Sequence, residues 1–431
     1  MIRNVLISIY MLISLQSYSQ TLQWQAIPNA PFDIDRQEDL MFINSQTGWV
    51  ININGQVYKT TNGGSRFDNL QTNLQVGLRS IGFLDENIGI AGTLNFDHPM
   101  FRTTNGGNNW SPVTNIPSSR YFGICGITQL PPNTFYAVGV YTTPAIAIKS
   151  TDRGLTWINL NVDTTNANRL VDTYFFDPLH GFIVGGKSST NLFYSKPVVA
   201  YTSDGGASWQ IKYTSNTVGY LCWKIDFRTP EFGYVSLENF GIPAACLTTT
   251  DGGMNWNYHS LSNAPELDVE GIGFIDQNTG WLGGRSGNGT YQTTNAGINW
   301  AAVTFGKNLN RFQFISDTLA YSCGQTVYKY SRTTEIQQIS SIVPENFKLE
   351  QNYPNPFNPV TKIKFSIKHV SHVILKIYDI SGKEIITLVN EKLNAGEYES
   401  NFTGKDYSSG VYIIKITADD YSDVKRMMLV K

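Results

Sequence analysis

The sequence predicts an all-β chain: a closed ring of repeated four-stranded sheets, followed by a small antiparallel sandwich. Three observations carry that prediction. The phrase Ser/Thr-x-Asp/Asn-x-Gly-x-x-aromatic recurs six times, at intervals of about 43 to 52 residues. Between its copies run alternating apolar stretches punctuated by Gly and turn residues. Beyond Tyr330 the repeat stops and a second set of alternating strands begins. Self-similarity at roughly 40–50 residues in strand-forming sequence is the mark of propeller blades.

The six copies place Asn62, Asn105, Asp152, Asp204, Asp251 and Asn295 at the Asx position. The closing aromatic is Phe67 in the first copy and Trp110, Trp157, Trp209, Trp256 and Trp300 in the others. The Asx side chain accepts from backbone N–H groups of its own turn, and the Gly takes positive φ without steric cost. The aromatic supplies apolar surface for packing. Each unit opens with an apolar segment ending near Phe42, Phe83, Phe176, Phe227, Phe274 or Phe314. A turn follows, then Gly plus a large residue, as in Gly48-Trp49, Gly181-Phe182, Gly233-Tyr234 and Gly280-Trp281. Recurrence at one blade position makes these aromatics core packing rather than a sugar-stacking platform. The grammar gives four strands per unit.

A seventh unit, Phe312 to Tyr330, supplies three strands and no boxed phrase. Thr21 to Ile27, with Trp24 in the Trp position, supplies the missing outer strand. That closes a seven-bladed β-propeller over residues 20–332 and removes its exposed edges.

Composition narrows the function. Charged residues are 15% and aromatics 13%, with 38 Gly, which suits short strands and tight turns. A net charge of −2 offers no bulk field for nucleic acid or an anionic membrane. Five His without ligand spacing, and no phosphate-cradling loop, lead us to expect neither metal nor cofactor. Four Cys, widely spaced in strand-like segments, read as free buried thiols. Residues 1–19 read as a secretory signal: Arg3, an apolar run from Val5 to Leu15, then Ser17-Tyr18-Ser19. The run is short for a membrane span, so the mature chain is expected to start near Gln20, outside the cytoplasm and not inserted in a membrane.

A polar linker, residues 333–346, leads to FKLEQNYPNPFNP, Phe347 to Pro359, where X-Pro steps force extended geometry. Alternating strands follow at Lys362–Ile367, Val373–Tyr378, Glu384–Val389, Tyr398–Phe402, Val411–Ile416 and Val424–Val430, a small antiparallel sandwich.

These residues resemble two known families. The boxed phrase is that of the Asp-box, or bacterial neuraminidase, repeat. The fuller run IGFIDQNTGWLGG…YQTTNAGINW, Ile272 to Trp300, resembles the photosystem II stability/assembly-factor propellers. QNYPNPFNP (Gln351 to Pro359), IYDISGKEI (Ile377 to Ile385), LNAGEY (Leu393 to Tyr398), SSGVYIIKI (Ser408 to Ile416) and the terminal KRMMLVK (Lys425 to Lys431) resemble the type A C-terminal sorting domain of the type IX secretion system. This second resemblance implies recognition of residues 347–431 by the type IX machinery and export by way of the periplasm. It also implies removal of the domain, with release of the propeller or attachment to the cell surface. The first resemblance implies a fold rather than an activity, since Asp-box propellers include binders, assembly factors and glycosidases.

Propellers bind partners on the face where the chain enters each innermost strand. Arg36, Arg79, Arg120, Arg169 and Arg311 each precede the Phe of a unit, or its equivalent, by three to seven residues, and Lys224 lies near a sixth such place. They suggest a basic ring at one mouth for an anionic protein or glycan, because planar guanidinium groups bind carboxylate, sulfate or phosphate in pairs. Glu266, Asp268 and Glu270 occupy the same place in the sixth unit and are expected to form surface salt bridges. A sialidase is the sharper alternative, but its Phe/Tyr-Arg-Ile-Pro motif is missing; the corresponding region reads PFDIDRQEDL, Pro31 to Leu40. Asp-box xyloglucanases use a carboxylate from each of two propellers; here there is one propeller, and nothing in the sequence pairs Asp85, Glu86, Asp226 or Glu238. A third reading is an inert structural or adhesive surface module. The expectation is a non-catalytic binding module.

Overall fold

The computed structural model describes residues 22–431 except 71–73, 96, 118–122, 140–144, 189–190, 262–266, 286–288, 333–335 and 406. The signal-like residues 1–19 and Arg120 lie outside the described residues. The chain divides into a larger unit, Trp24–Ser331, and a smaller one that contains Arg332–Lys431.

The larger unit holds seven four-stranded sheets. Their inner strands are Gln37–Phe42, Leu78–Phe83, Gly126–Leu130, Arg169–Phe175, Tyr220–Phe227, Asp268–Phe274 and Arg311–Ser316, numbered here as blades one to seven. Each inner strand packs against the next around a ring, and the seventh packs against the first. Blades one to six run inner to outer in chain order. Blade seven is completed from the other end of the unit, in the order Leu22–Ala26, Val327–Arg332, Leu319–Cys323, Arg311–Ser316.

The Gly-aromatic step has a clear physical cause. A Cβ at Gly48 would lie 2.5 Å from the Phe42 ring, and Gly89, Gly181, Gly233 and Gly280 sit equally close to the inner-strand Phe of their own blades. In blade four that ring is Phe175, one residue earlier than the sequence reading placed it, because the inner strand ends there. The large residue at this place in the second strand, after the Gly or its replacement (Phe135, Ala320), then meets the inner-strand ring of the next blade. Trp49 stacks on Phe83 at 3.6 Å and Tyr136 on Phe175 at 3.4 Å. Phe182 stacks on Phe227 at 5.3 Å and Trp281 on Phe314 at 6.3 Å. Tyr321 stacks on Phe42 at 3.7 Å, which joins the last blade to the first.

The boxed turns repeat one hydrogen-bond pattern. The backbone N–H of Arg66, Asn109, Thr156, Ser208, Asn255 and Asn299 donates to Asn62, Asn105, Asp152, Asp204, Asp251 and Asn295 respectively, each at 2.9 Å. The preceding Ser or Thr hydroxyl accepts from the box Gly N–H, as in Gly206 to Thr202 at 2.9 Å, with Gly206 at φ 94°. Only an oxygen acceptor is required of the Asx side chain, so Asn and Asp interchange. Trp110, Trp209, Trp256 and Trp300 each meet the inner Phe of their own blade edge-on. Trp157 packs on Phe135 at a tilt. Trp24 takes that place in blade seven, edge-on to Phe312 and Phe314.

The smaller unit is a sandwich of two four-stranded sheets. One has the order Ile336–Ser340, Gly396–Thr403, Val360–Ile367, Lys348–Leu349; the other has Glu384–Leu393, Ser371–Asp379, Gly410–Ala418, Tyr421–Leu429. Ile363, Phe365, Val373, Leu375, Phe402, Ile414 and Ile416 fill the space between them. The Pro-rich opening is tied to the last strand: Phe357 is buried, and its N–H donates to Met428 O at 2.9 Å. Residues 336–340 were expected in a linker and instead form an edge strand. Its polar composition hid it, because an edge strand needs its backbone donors and acceptors more than an apolar face. The four Cys are buried and, among the described residues, none is in a disulfide.

Candidate functional site

Strand alternation fixes the two faces of the ring. Turns between inner and second strands share one face with the boxed turns; loops between second and third strands share the other with the segments that enter each inner strand. On this second, loop face the inner strands begin. Arg36 immediately precedes one, Arg169 and Arg311 open theirs, Arg79 is second in its strand, and Lys224 lies within Tyr220–Phe227.

Beta-bulges interrupt these strands near the same level. Register shifts fall between Gln37 and Asp39, Leu78 and Ser80, Leu170 and Asp172, Cys222 and Ile225, and Val269 and Gly271. The extra residues include Glu38, Arg79, Trp223, Lys224 and Glu270. A bulge frees a residue from the ladder and re-aims its side chain. Here the re-aimed side chains meet those of other blades.

Arg311, in blade seven, donates to Asp39 of blade one at 2.9 Å and reaches Asp172 of blade four at 2.9 and 3.2 Å. Asp39 also accepts from the Ile81 N–H of blade two, and Asp172 from the Ile225 N–H of blade five, each at 3.1 Å. Both carboxylates thus take a backbone donor of the adjoining blade as well as the Arg311 guanidinium, which lies on the neighbouring blade for Asp39 and across the ring for Asp172. Glu38 accepts from Arg36 at 3.0 and 3.2 Å and from Arg79. Arg36 also pairs with Glu270 of blade six, whose side chain is fully buried. Arg79 lies 4.9 Å over the Trp223 ring, and the Trp223 indole donates to Asn310 at 2.8 Å.

At Arg36, Arg79 and Arg311 the expected open basic rim is instead a largely buried and internally compensated network. Arg36, Arg79 and Arg169 are under one-tenth exposed. An anion arriving at Arg36, Arg79 or Arg311 would have to displace a carboxylate already in place. Burial at the mouth also moved Glu270 from the expected surface salt bridge into this network; Glu266 lies outside the described residues.

The electrostatics follow from burial and pairing. Burial opposes ionisation of Glu38, but Arg79 and Arg36 outweigh it and hold the carboxyl below its usual range. Burial lowers Lys224 to about 8, aided by Arg311. It raises Asp226 to about 6, where the carboxyl accepts from the Phe227 N–H and the Tyr234 hydroxyl. It raises Glu238 to about 7 despite Arg79, Arg36 and Arg285 nearby. Glu238 and Glu38 thus carry opposite shifts, the pattern of an acid and its ionised partner. Glu38, however, is held by two arginines and is barely exposed. Among the described residues no group of three or more His, Cys, Asp or Glu could hold a metal ion.

Glu238 gives a pH-dependent expectation. Its carboxyl is neutral in both states below the ordinary Glu value of about 4.3, so it then costs nothing. As pH rises from there through about 7, the unfolded chain ionises first and folding is progressively penalised. Glu238→Gln should stabilise the propeller by on the order of 1–3 kcal/mol at pH 8 and have little effect at pH 4. Urea unfolding at the two pH values checks this.

Sequence reasoning missed Glu38, Asp39 and Asp172 as counter-ions, and Trp223 and Asn310 as their neighbours. A signal was present: Glu38 and Asp39 follow Arg36 by two and three residues, and Asp172 follows Arg169 by three.

Residues 149–310 match the family model for the photosynthesis system II assembly factor YCF48. The propeller resembles that factor. Residues 351–431 match the secretion system C-terminal sorting domain, which marks the chain for type IX secretion to the cell surface or beyond. A photosystem II assembly lipoprotein Ycf48 from Synechococcus sp. (strain CC9902) is 27% identical over 202 residues, 43% of this chain and 56% of that protein. The match thus spans little more than half of that relative. A solved structure of YCF48 bound to a D1 peptide superposes with a TM-score of 0.52 at 18% identity, covering 72% of this chain and 96% of that one. A GH74 xyloglucanase from Xanthomonas campestris gives 0.53 at 11% identity, covering 94% of this chain and 68% of the enzyme. At these identities the likeness is one of fold.

Proposed function

We propose that this protein is a secreted or surface-held, non-catalytic binding module that engages an anionic protein or glycan through the loop face of its propeller. The observation that carries this reading is the contrast between the two faces. The boxed face repeats one hydrogen-bonded turn six times. The loop face carries variable side chains: Phe32, Ile34, Phe193 and Tyr194 are all more than half exposed, and Lys187, Arg285 and Lys307 rim it. The YCF48-like character of the ring supports binding over catalysis, and the peptide-bound YCF48 structure supports a protein partner. Against the glycosidase alternative, Glu38 is committed to Arg36 and Arg79. Asp85 is committed to Arg153 and its own turn.

Affinity capture from envelope and culture fluid tests the reading, with three full-chain baits. One is wild type. One carries Phe32→Ser, Ile34→Ser, Phe193→Ser and Arg285→Ser on the loop face; one carries Leu155→Ser, Met254→Ser and Ile298→Ser on the boxed face. A partner should be held by the first and third and lost by the second. Loss only with the third bait, or turnover of xyloglucan or a sialoside by the purified chain, would overturn it.

A further inference from the structure

Resting on that reading, we infer that the loop face of blade four carries a pocket for an acidic saccharide, a sugar bearing a carboxylate or sulfate. The pocket has a volume of about 370 Å³, within the usual range for small-ligand sites. Lys187 ends the second strand, Lys196 begins the third, and the two are direct cross-strand partners. Like charges directly opposite each other are unfavourable. Among the described residues the lining of the pocket contains no carboxylate. Among the described residues Lys187 donates to the neutral Asn166 amide, at 3.3 Å. Asp163 stands nearby and feels the Lys187 charge, but the hydrogen bonds of its carboxylate go to Thr165 and Asn166. Lys196 has no hydrogen-bonded or ion-paired side-chain partner among the described residues.

The remaining lining says what kind of anion would relieve the pair. Tyr194, 59% exposed, presents an aromatic ring from the short 3-10 turn Leu192–Tyr194. Asn216 and Thr214 add a side-chain amide and a hydroxyl, while the Asn166 amide is engaged by Lys187 and Asp163 and the Ser215 hydroxyl by the Thr217 backbone. An aromatic ring suits the apolar face of a sugar, an amide and a hydroxyl suit its ring hydroxyls, and two ammonium groups suit one acidic substituent. The polar groups are side chains spread around the cavity, matched to hydroxyls rather than to a peptide backbone.

Titration calorimetry on the full chain tests the inference with four probes: trigalacturonate, a chondroitin sulfate tetrasaccharide, cellotriose and hexaglutamate. At least one acidic saccharide should bind, weakening with salt, while cellotriose and hexaglutamate should not. Lys187→Gln with Lys196→Gln should weaken binding by at least about tenfold, and Tyr194→Ala by about fivefold, without lowering the unfolding midpoint. Unchanged affinity in the double Lys variant, binding of hexaglutamate as tight as that of the saccharides, or no binding of any probe would overturn it. The capture bait altered on the loop face changes none of the residues that line this pocket, although Phe193 shares a turn with Tyr194. Loss of saccharide binding alongside successful loop-face capture would therefore remove the pocket and leave the broader reading standing.

Discussion

Replacing Arg311 with Met should cost the propeller about 3–5 kcal/mol, the penalty for breaking a buried ion pair by removing one partner. The side chains of Asp39 and Asp172 are 4% and 1% exposed, and Arg311 is the cation joined to both. Burial alone would lower the Arg311 pKa, yet Asp172 and Asp39 together raise it, which measures how strongly the three groups are coupled. Without the guanidinium, two carboxylates would lie buried opposite each other, still held by the N–H groups of Ile81 and Ile225. Arg311→Lys should recover only part of the loss, because an ammonium cannot bridge two carboxylates with a fixed fork of donors. Adding Asp39→Asn and Asp172→Asn to Arg311→Met should restore much of the stability by removing the uncompensated charge. All nine Trp precede Phe305, so urea unfolding followed by Trp fluorescence reports the propeller and not the sandwich. A cost below about 1 kcal/mol for Arg311→Met would place the pair with ordinary surface salt bridges and contradict the network described above.

Trp24→Ala should cost a similar amount, about 3–5 kcal/mol, as for other large-to-small changes of buried aromatics. Trp24 is 8% exposed and meets Trp281, Phe305, Phe312, Phe314 and Tyr330. It lies on the strand that completes blade seven, so the cavity would open at the seam of the ring. Trp24→Phe should be far milder, since the ring stack with Phe305 at 5.1 Å can persist. Its indole N–H has no hydrogen-bond acceptor among the described residues, so that substitution strands no polar partner there. Equal losses for the two variants would point to a polar role for the indole instead.

The two predictions also show which parts of the structure could be read from the chain. The ring was legible because its contacts are local and repeated: each Gly-aromatic step and each boxed turn is a short motif. Even the closing strand was legible, since Trp24 stands where a box Trp should. The axis was not. Its bonds join residues far apart in sequence, Arg311 to Asp172 and Arg36 to Glu270 among them. Bulges at Glu38 and Glu270 broke the two-residue alternation that would have revealed the orientation of their side chains. Arginines read alone looked like an open rim; read with Glu38, Asp39 and Asp172, their nearest acids, they are a frame. The pocket on blade four had no sequence signal, because Lys187 and Lys196 become partners only once their strands pair.

Amide hydrogen exchange on the full chain, with and without the captured partner, tests the binding account most directly. Protection should fall on the loop face, at residues around 32–36, 191–196 and 240–242, and leave the boxed turns unchanged. Protection confined to the boxed turns, or spread evenly over both faces, would contradict it.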